Sequence, residues 1–354
     1  MTAPDKPLSY RDAGVDIDAQ DEAIRRLRPH AKSTHTPEVL ADIGTFGGLF
    51  HLGPRGFRDP VLVSSTDGVG TKLRVAVMAG RHDTIGYDLV SHCVNDILVQ
   101  GAVPLFFLDY FATGHLDPPI VESVISGMAR ACREAQCALI GGELAEMGDL
   151  YRRGDYDIAG FIVGAVERDR VITGAGIRPG DVMLGLPSVG LHTNGYSLAR
   201  RIFFDRLGLS HDSRVEELGA TVGECLLAPH KSYLPPLRDL VTSAPVGGRG
   251  PVKGLAHITG GGITDNVPRI LPDDCRARVD RRRIRVLPVF RYLEKEGGVE
   301  EAEMWRTFNM GIGMVVVVSE ADAVGVEDRL KEAGESPARI GVIEKGPRGV
   351  VYEG

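Results

Sequence analysis

The stretch Ser64-Ser65-Thr66-Asp67-Gly68-Val69-Gly70-Thr71-Lys72 combines hydroxyl, carboxylate, glycine and lysine groups directly after an apolar segment. Gly68 and Gly70 allow a sharp turn and let the backbone approach a ligand closely. Successive backbone N–H groups in such turns bind anions, Lys72 supplies a positive charge, and Asp67 is an oxygen ligand of the kind that Mg²⁺ prefers. The stretch therefore predicts a phosphate and metal site, although a glycine-rich sequence of this length is equally typical of a polar turn.

Length and composition limit the kind of protein that this chain forms. Its 354 residues are enough for two domains at roughly 150 residues each. With 43% hydrophobic residues, 25% charged residues and a net charge of −7, the chain is typical of a globular protein that binds neither nucleic acid nor a membrane. The five cysteines form no CxxC pair, the N-terminal residues are polar and acidic, and the longest apolar run, Met310–Val318, is too short to cross a bilayer. We therefore expect a cytoplasmic protein.

Predicted helices and strands alternate along the chain, which indicates an α/β fold. The first part is predicted to contain helices at Asp21–Arg28 (ended by Pro29), Thr84–Gln100 and Pro118–Gln136, and strands at Pro60–Ser64, Leu105–Tyr110, Ala138–Ile140 and Tyr156–Val166. The second part is predicted to contain strands at Asp181–Leu186, Gly311–Val318 and Arg339–Glu344, helices at Ser197–Leu207 and Asp322–Ala333, and a loop-rich middle with a surface connection at Thr242–Gly254. Because a charged, glycine-rich cluster separates the two parts, we expect domains at residues 1–168 and 169–354.

The predicted helix Thr84–Gln100 is apolar on nearly every side and yet carries a polar stripe. Four polar residues share one side of it at helical spacing: Asp88, His92, Asn95 and Asp96. A polar stripe on a buried helix needs partners, and carboxylate and amide groups suit Mg²⁺ or a nucleotide. The alternative is a set of internal hydrogen bonds that serve the fold alone.

A third acidic element follows the predicted strand Ala138–Ile140, in the sequence Gly141-Gly142-Glu143. Ligands of α/β sheets gather at the carboxyl ends of strands, which is where we expect Asp67 and Glu143. Together with Asp96 they predict a shared site for Mg²⁺ and a triphosphate.

The second predicted domain contains two glycine-rich loops. Ser188–Gly195 leads into a helix and places backbone N–H groups with Thr193 and Asn194 before its first turn, a typical anion site. The other loop, His257-Ile258-Thr259-Gly260-Gly261-Gly262, has a histidine at its start. His257 is a candidate acid, base or phosphate ligand, and a buried structural histidine is the alternative.

Nine segments, spread over almost the whole chain, resemble the phosphoribosylformylglycinamidine cyclo-ligase family. The segments are residues Tyr10–Asp16, Ile43–Gly48, Ser65–Lys72, Asp88–Val90 with Cys93–Ile97, Gln100–Tyr110, Gly141–Glu143, Gly190–Ser197, His257–Gly262 and Trp305–Gly311. The Thr66–Lys72 core and the acidic residues are shared by a wider superfamily that includes selenophosphate synthetase and thiamine-monophosphate kinase, so they indicate ATP use. The segments at His257–Gly262 and Trp305–Gly311 are much more specific to the cyclo-ligases.

The resemblance implies ATP-dependent cyclisation of formylglycinamidine ribonucleotide to aminoimidazole ribonucleotide, with release of ADP and phosphate. It implies two α/β domains: an N-terminal one whose strands close a barrel across a homodimer, and a C-terminal α/β sandwich. The implied catalytic residues are His257 and Lys72, and the implied Mg²⁺ ligands are Asp67, Asp96 and Glu143. The implied ATP or phosphate contacts are Asp67, Gly68, Gly70, Thr71, Lys72, Asn95, Asp96, Glu143, His192, Asn194, Gly260, Gly261 and Gly262.

The chain departs from the family pattern at three places. Leu144 follows the Gly-Gly-Glu sequence where threonine is usual, Gly148-Asp149 replaces Pro-Gly, and Arg28 stands where a lysine is expected. Arginine keeps the charge but not the compact geometry of lysine, so the ATP contact expected at residue 28 is affected. None of the departures removes a carboxylate, Lys72 or His257. Two other functions remain open: a superfamily kinase or synthetase with a different substrate, and a nucleotide-binding protein without catalysis.

Overall fold

The computed structural model describes residues 16–44, 46–242 and 250–354. Most of the N-terminal segment of the resemblance (residues 10–15), Thr45 in the first glycine-rich turn and residues 243–249 of the predicted surface connection lie outside the described residues.

The first half of the chain forms one four-stranded sheet with helices on one face. Its helices and strands are, in order, α1 (Ile17–Lys32), β1 (Pro60–Gly68), α2 (Lys72–Ala79), α3 (Asp83–Leu98), β2 (Val103–Thr113), α4 (Pro118–Ala135), β3 (Ala138–Glu146) and β4 (Tyr156–Glu167). The strand order is β1-β4-β2-β3, and only β2 and β3 run parallel. Among the described residues the sheet is open, and no further strand pairs with β1 or β3 at its edges.

Helix α3 is the central element of this half, because it packs between the sheet and α4. Two glycines let the helices approach closely: a Cβ at Gly86 would lie 1.9 Å from the carbonyl oxygen of Val124, and one at Gly127 would lie 2.1 Å from that of Asp83. Helix α4 begins with two prolines and ends at Ala135, and the next residue, Gln136, has a left-handed φ of 55°. The close packing buries almost every residue of α3, including most of its polar stripe.

The second half forms a six-stranded sheet covered by helices. Its helices and strands are, in order, β5 (Val182–Pro187), α5 (Tyr196–Arg200, continued by a π-helical turn at Arg201–Arg206), β6 (Arg214–Val215), β7 (Ala220–Thr221), α6 (Val222–Leu226), α7 (Leu234–Thr242), β8 (Val252–His257), α8 (Gly262–Asn266), β9 (Cys275–Asp280), α9 (Pro288–Gly297), α10 (Glu301–Thr307), β10 (Ile312–Val318), α11 (Glu320–Glu332), β11 (Ala338–Lys345) and β12 (Gly349–Glu353). The strand order is β12-β9-β11-β5-β10-β8, with β9 and β12 parallel and the other pairs antiparallel. The fold is therefore two α/β units, and the boundary that we propose, between residues 168 and 169, lies in the connection from β4 to β5.

Several predicted boundaries were wrong, for reasons that lie in tertiary packing. Strand β1 continues through Asp67 to Gly68 because it pairs with β4 over its whole length, so the predicted phosphate loop is mostly strand. Helix α1 passes through Pro29, since its last turn buries Ala31. Glu143 lies inside β3 and not at its end, and strands β8, β9 and β12 fall in segments predicted to be loops or left unassigned. Among the described residues, no helix is both long and apolar enough to span a membrane.

Candidate functional site

A cluster of carboxylate and imidazole groups lies where the two halves of the chain meet. Asp67 on β1 and Asp96 on α3 both approach His92, at 2.8 Å and 3.7 Å from its Nε2 atom. From the other half, His257 at the end of β8 places its Nδ1 atom 2.8 Å from Asp96 Oδ1. The Asp67 and Asp96 side chains are 45% and 23% exposed, whereas both histidines are buried behind them. We call Asp67, His92, Asp96 and His257 the cleft cluster.

The cleft cluster separates charged from neutral groups. Burial alone would raise the pKa of both carboxyl groups, but hydrogen bonding and charge from His92 lower the pKa of Asp67, and His257 acts likewise on Asp96. Burial would lower the pKa of His92, yet Asp67 and Asp96 raise it. Burial lowers the pKa of His257 in spite of its bond to Asp96. Two ionised carboxylates therefore face the solvent, and a neutral imidazole stands beside them.

A second ring of hydrogen bonds connects these histidines to His230. His92 Nδ1 lies 2.7 Å from Thr193 Oγ1, which lies 3.3 Å from His230 Nδ1. His230 Nε2 is 3.2 Å from His257 Nε2, so a proton on either nitrogen is shared with the other. Burial holds the pKa of His230 well below its ordinary value, and the group is neutral at pH 7. His230 was not predicted from the sequence, because it follows Pro229 without a glycine-rich motif.

Lys72 does not reach the cleft. Its side chain is fully buried, and its ammonium group lies 2.7 Å from Asp88 Oδ2 and donates to the backbone carbonyls of His192 and Ala228. In this structure the ammonium group faces an ion-pair partner and two buried backbone carbonyls, and the phosphate contact and catalytic role predicted for Lys72 stay predictions.

Asn95 is likewise buried and occupied. It donates to the Lys231 carbonyl at 2.9 Å, accepts from the Tyr233 N–H at 2.8 Å, and lies 3.2 Å from His230 Nε2. The amide therefore connects the two halves of the chain, and the phosphate contact predicted for Asn95 stays a prediction. The polar stripe of α3 divides, with His92 and Asp96 facing the cleft and Asp88 and Asn95 facing the domain interface.

The glycine-rich segments converge beside the cleft cluster. A Cβ at Gly70 would lie 3.8 Å from the Thr193 carbonyl oxygen, and one at Gly260 would lie 3.3 Å from Asn194 Oδ1. Thr71 Oγ1 lies 3.1 Å from Ser197 Oγ, which joins the first loop to the start of α5. Gly68 ends β1, and Gly261 and Gly262 have left-handed φ values of 96° and 59°. The phosphate contacts predicted for these glycines, Thr71 and Asn194 stay predictions.

His192 lies inside the interface between the two halves of the chain. Its side chain is buried, with a left-handed φ of 61°, and its ring stacks on His230 at 4.2 Å between centroids. It meets the rest of the site through its carbonyl group, which accepts from Lys72. The nucleotide contact predicted for His192 stays a prediction.

Glu143 stands apart from the other two predicted metal ligands. Asp67 on β1 is in register with Gly160 on β4, Asp109 on β2 and Gly142 on β3. Glu143 follows Gly142 on β3, so three strand spacings, roughly 14 Å, separate its strand from Asp67. Glu143 lines a different cavity of about 640 Å³, under α1, together with Asp109. One copy of the chain therefore does not bring the three predicted carboxylates together.

The family of the chain follows from its similarity to known proteins. Residues 57–166 match the model of the AIR synthase related protein N-terminal domain, and residues 178–354 match that of the C-terminal domain. Phosphoribosylformylglycinamidine cyclo-ligases from Syntrophotalea carbinolica and Geobacter sulfurreducens are 51% and 52% identical over 340 and 338 residues, 96% of this chain and 95% of each relative. The cyclo-ligase from Neisseria meningitidis is 52% identical over 338 residues, 96% of each chain.

Solved structures share the fold at low sequence identity. Thiamine-monophosphate kinase from Stenotrophomonas maltophilia superposes with a TM-score of 0.68 at 17% identity, over 94% of this chain and 96% of its own. Hydrogenase maturation protein HypE, solved in complex with ATP, gives 0.67 at 21% identity over 94% and 91%. Fold and domain models together define a two-domain AIR synthase related protein. The chain belongs to the phosphoribosylformylglycinamidine cyclo-ligase family, and it is a ligase of purine biosynthesis.

Proposed function

We propose that the cleft between the two domains carries out the ATP-dependent ring closure of formylglycinamidine ribonucleotide to aminoimidazole ribonucleotide. Membership in the cyclo-ligase family supports the reaction. The cleft cluster supports the location of the reaction between the domains, because ionised carboxylates of one domain lie beside a neutral histidine of the other.

The reaction needs activation of a poor leaving group. The formamide oxygen attacks the γ-phosphorus of ATP, the bond to the bridging oxygen breaks, and ADP leaves. The amidine nitrogen then attacks the activated carbon, the C–O bond breaks to release phosphate, and the nitrogen loses a proton. In such phosphoryl transfers the protein contributes mainly positioning and charge neutralisation.

The donor set of the cleft fits Mg²⁺ at two of its three predicted ligands. Asp67 and Asp96 are partly exposed, ionised carboxylates that converge on one imidazole nitrogen, and Mg²⁺ prefers such oxygen ligands. When bound, Mg²⁺ would neutralise charge on the ATP phosphates. We assign Asp67 and Asp96 as its holders.

His257 is the group that we assign to the proton of the cyclisation step. Its ring is neutral at pH 7, and Asp96 orients it by accepting the Nδ1 hydrogen. Its other nitrogen, Nε2, lies 3.2 Å from His230 Nε2, so we assign the proton that the attacking nitrogen loses to this pair of rings. We assign phosphate binding to the Gly260–Gly262 loop, which begins three residues after His257.

We infer that the protein is a homodimer, which also accounts for Glu143. Apolar side chains on the sheet face away from the helices are exposed, among them Leu62 at 60% and Phe161 at 43%. Covering such a face is favourable at about 25 cal/mol per Å². Pairing β1 of one copy with β3 of a second would join the two open sheets into one barrel. It would also bring Glu143 of the second copy to the strand beside Asp67.

The test is a product assay with the purified protein. Formylglycinamidine ribonucleotide, ATP and Mg²⁺ are supplied, and aminoimidazole ribonucleotide and ADP are measured together. We expect equal amounts of both products and none without ATP. Phosphorylated substrate without ring closure would instead indicate a superfamily kinase, and absence of ADP would contradict the proposal.

A further inference from the structure

A fully buried ion pair lies on the interface between the domains. Lys72 Nζ and Asp88 Oδ2 are 2.7 Å apart, and both side chains have no exposed surface. Although both residues belong to the first domain, their other partners belong to the second. The ammonium group donates to Ala228 at 2.8 Å and to His192 at 3.2 Å, and Asp88 Oδ1 accepts the His230 N–H at 2.6 Å.

Asn95 extends this contact along the same segment of the second domain. Its amide bonds to the backbone of Lys231 and Tyr233. Three side chains from α2 and α3 therefore bind four backbone groups of residues 228–233. We call Lys72, Asp88 and Asn95 the interdomain latch.

The latch has one consequence for the cleft. The latch binds the backbone of residues 228–233, and this segment contains His230. The His230 ring lies 3.2 Å from His257 Nε2 and 3.3 Å from Thr193 Oγ1. One of the carbonyl groups that Lys72 binds belongs to His192, and the ring of His192 stacks on that of His230. A shift of residues 228–233 would move the ring that supports His257.

We propose that Lys72, Asp88 and Asn95 are positioning residues, which act on catalysis by holding His230 against His257. The inference rests on the proposed function for its catalytic readout only. Lys72 acts through Asp88 and the second-domain backbone and touches no substrate. Removing one partner of a buried ion pair leaves an uncompensated charge, whereas removing both charges is far less costly.

The experiment compares Lys72→Met, Asp88→Asn and the double variant in the full-length protein. In Lys72→Met the buried Asp88 carboxylate loses its partner, so we expect a lower unfolding temperature and a fall in kcat of roughly 10- to 100-fold from misplacement of His230. In the double variant the amide oxygen that replaces the carboxylate still accepts the His230 N–H, and no charge is left unpaired. We expect its kcat to return to within about threefold of wild type, with the KM for ATP within about twofold in every variant.

A phosphate-binding lysine gives the opposite pattern. If Lys72 contacts ATP, the double variant stays as slow as Lys72→Met, or its KM for ATP rises, and the proposal is overturned. The matched control is Lys253→Met, which breaks the Lys253–Asp181 ion pair (2.6 Å) inside the second domain. It should lower the unfolding temperature and leave kcat unchanged.

A readout without activity separates this proposal from the proposed function. Amide hydrogen exchange of residues 228–233, measured by mass spectrometry, should be faster in Lys72→Met and return towards wild type in the double variant. Unchanged exchange in Lys72→Met would overturn the latch even if wild type makes the expected product. Absence of product from wild type would instead overturn the proposed function, while the exchange result would still stand.

Discussion

At the residue scale, His257 combines a buried ring with an oriented hydrogen bond to Asp96, and this combination makes a specific prediction. His257→Gln removes the imidazole that accepts the reaction proton, so kcat should fall by roughly 10²- to 10⁴-fold. The KM for ATP should change little, because the carboxylates that we assign to Mg²⁺ remain. Steady-state kinetics check this, and a rise in KM alone would show that His257 binds a substrate and takes no part in proton transfer.

Asp109 makes a prediction about pH and stability. Burial raises the pKa of its carboxyl group to about 7. The folded state holds this proton more tightly than the unfolded state does. The contribution of Asp109 to the free energy of unfolding is therefore fully present below about pH 4 and is lost as the pH rises through about 7. The loss is about 1.4 kcal/mol for each pH unit between these values.

The substitution Asp109→Asn removes this dependence. Urea unfolding of the variant should therefore show a smaller decline in stability between about pH 4 and about pH 8 than wild type. Equal slopes for the two proteins would contradict a raised pKa at Asp109.

At the element scale, the packing of α3 on α4 depends on glycine. A Cβ at Gly86 would meet the Val124 carbonyl at 1.9 Å, so Gly86→Ala must push the helices apart. We expect a loss of at least about 3 kcal/mol in the free energy of unfolding. Gly325→Ala in α11 is the matched control, because no atom lies within 4 Å of its added Cβ.

The control should gain up to about 1 kcal/mol from the higher helix propensity of alanine. The free energy of unfolding of Gly86→Ala and of Gly325→Ala is measured with a denaturant. Equal effects at both positions would show that α3 and α4 are not in the close contact described above.

The polar stripe on α3 shows what the sequence predicts and what it does not. Helical spacing places Asp88, His92, Asn95 and Asp96 on one side of an apolar helix, so a polar site there was predictable. Which of them face the cleft depends on where the second domain packs, and that is set by contacts far along the chain. The sequence therefore could not show that Lys72 contacts Asp88 or that Asn95 contacts residues 228–233.

The length of strand β1 likewise depends on a partner far along the chain. The run Ser64–Lys72 lacks apolar alternation and is locally typical of a loop, but β4 supplies a partner for every residue as far as Gly68. That pairing moves Asp67 from a loop to a strand edge and separates it from Glu143. His257, which stands in a specific glycine-rich motif, does lie beside an acidic group of the other domain.

At the scale of the whole molecule, the exposed apolar face of the first sheet predicts dimerisation. Phe161→Asp places a charge on that face and should shift the protein towards a monomer in light scattering. Leu150→Asp is the control, because Leu150 is 76% exposed and lies outside the strands. If Phe161→Asp stays as dimeric as wild type, the result would contradict dimerisation through this face of the sheet.

The central claim, that the carboxylates of the cleft bind the metal used in ring closure, is tested most directly by Asp96→Asn. Product formation is measured against Mg²⁺ concentration for wild type and variant, with circular dichroism to verify the fold. We predict a folded variant whose turnover falls by at least about 100-fold and is not restored by added Mg²⁺. A folded Asp96→Asn protein that forms aminoimidazole ribonucleotide at the wild-type rate would contradict the account.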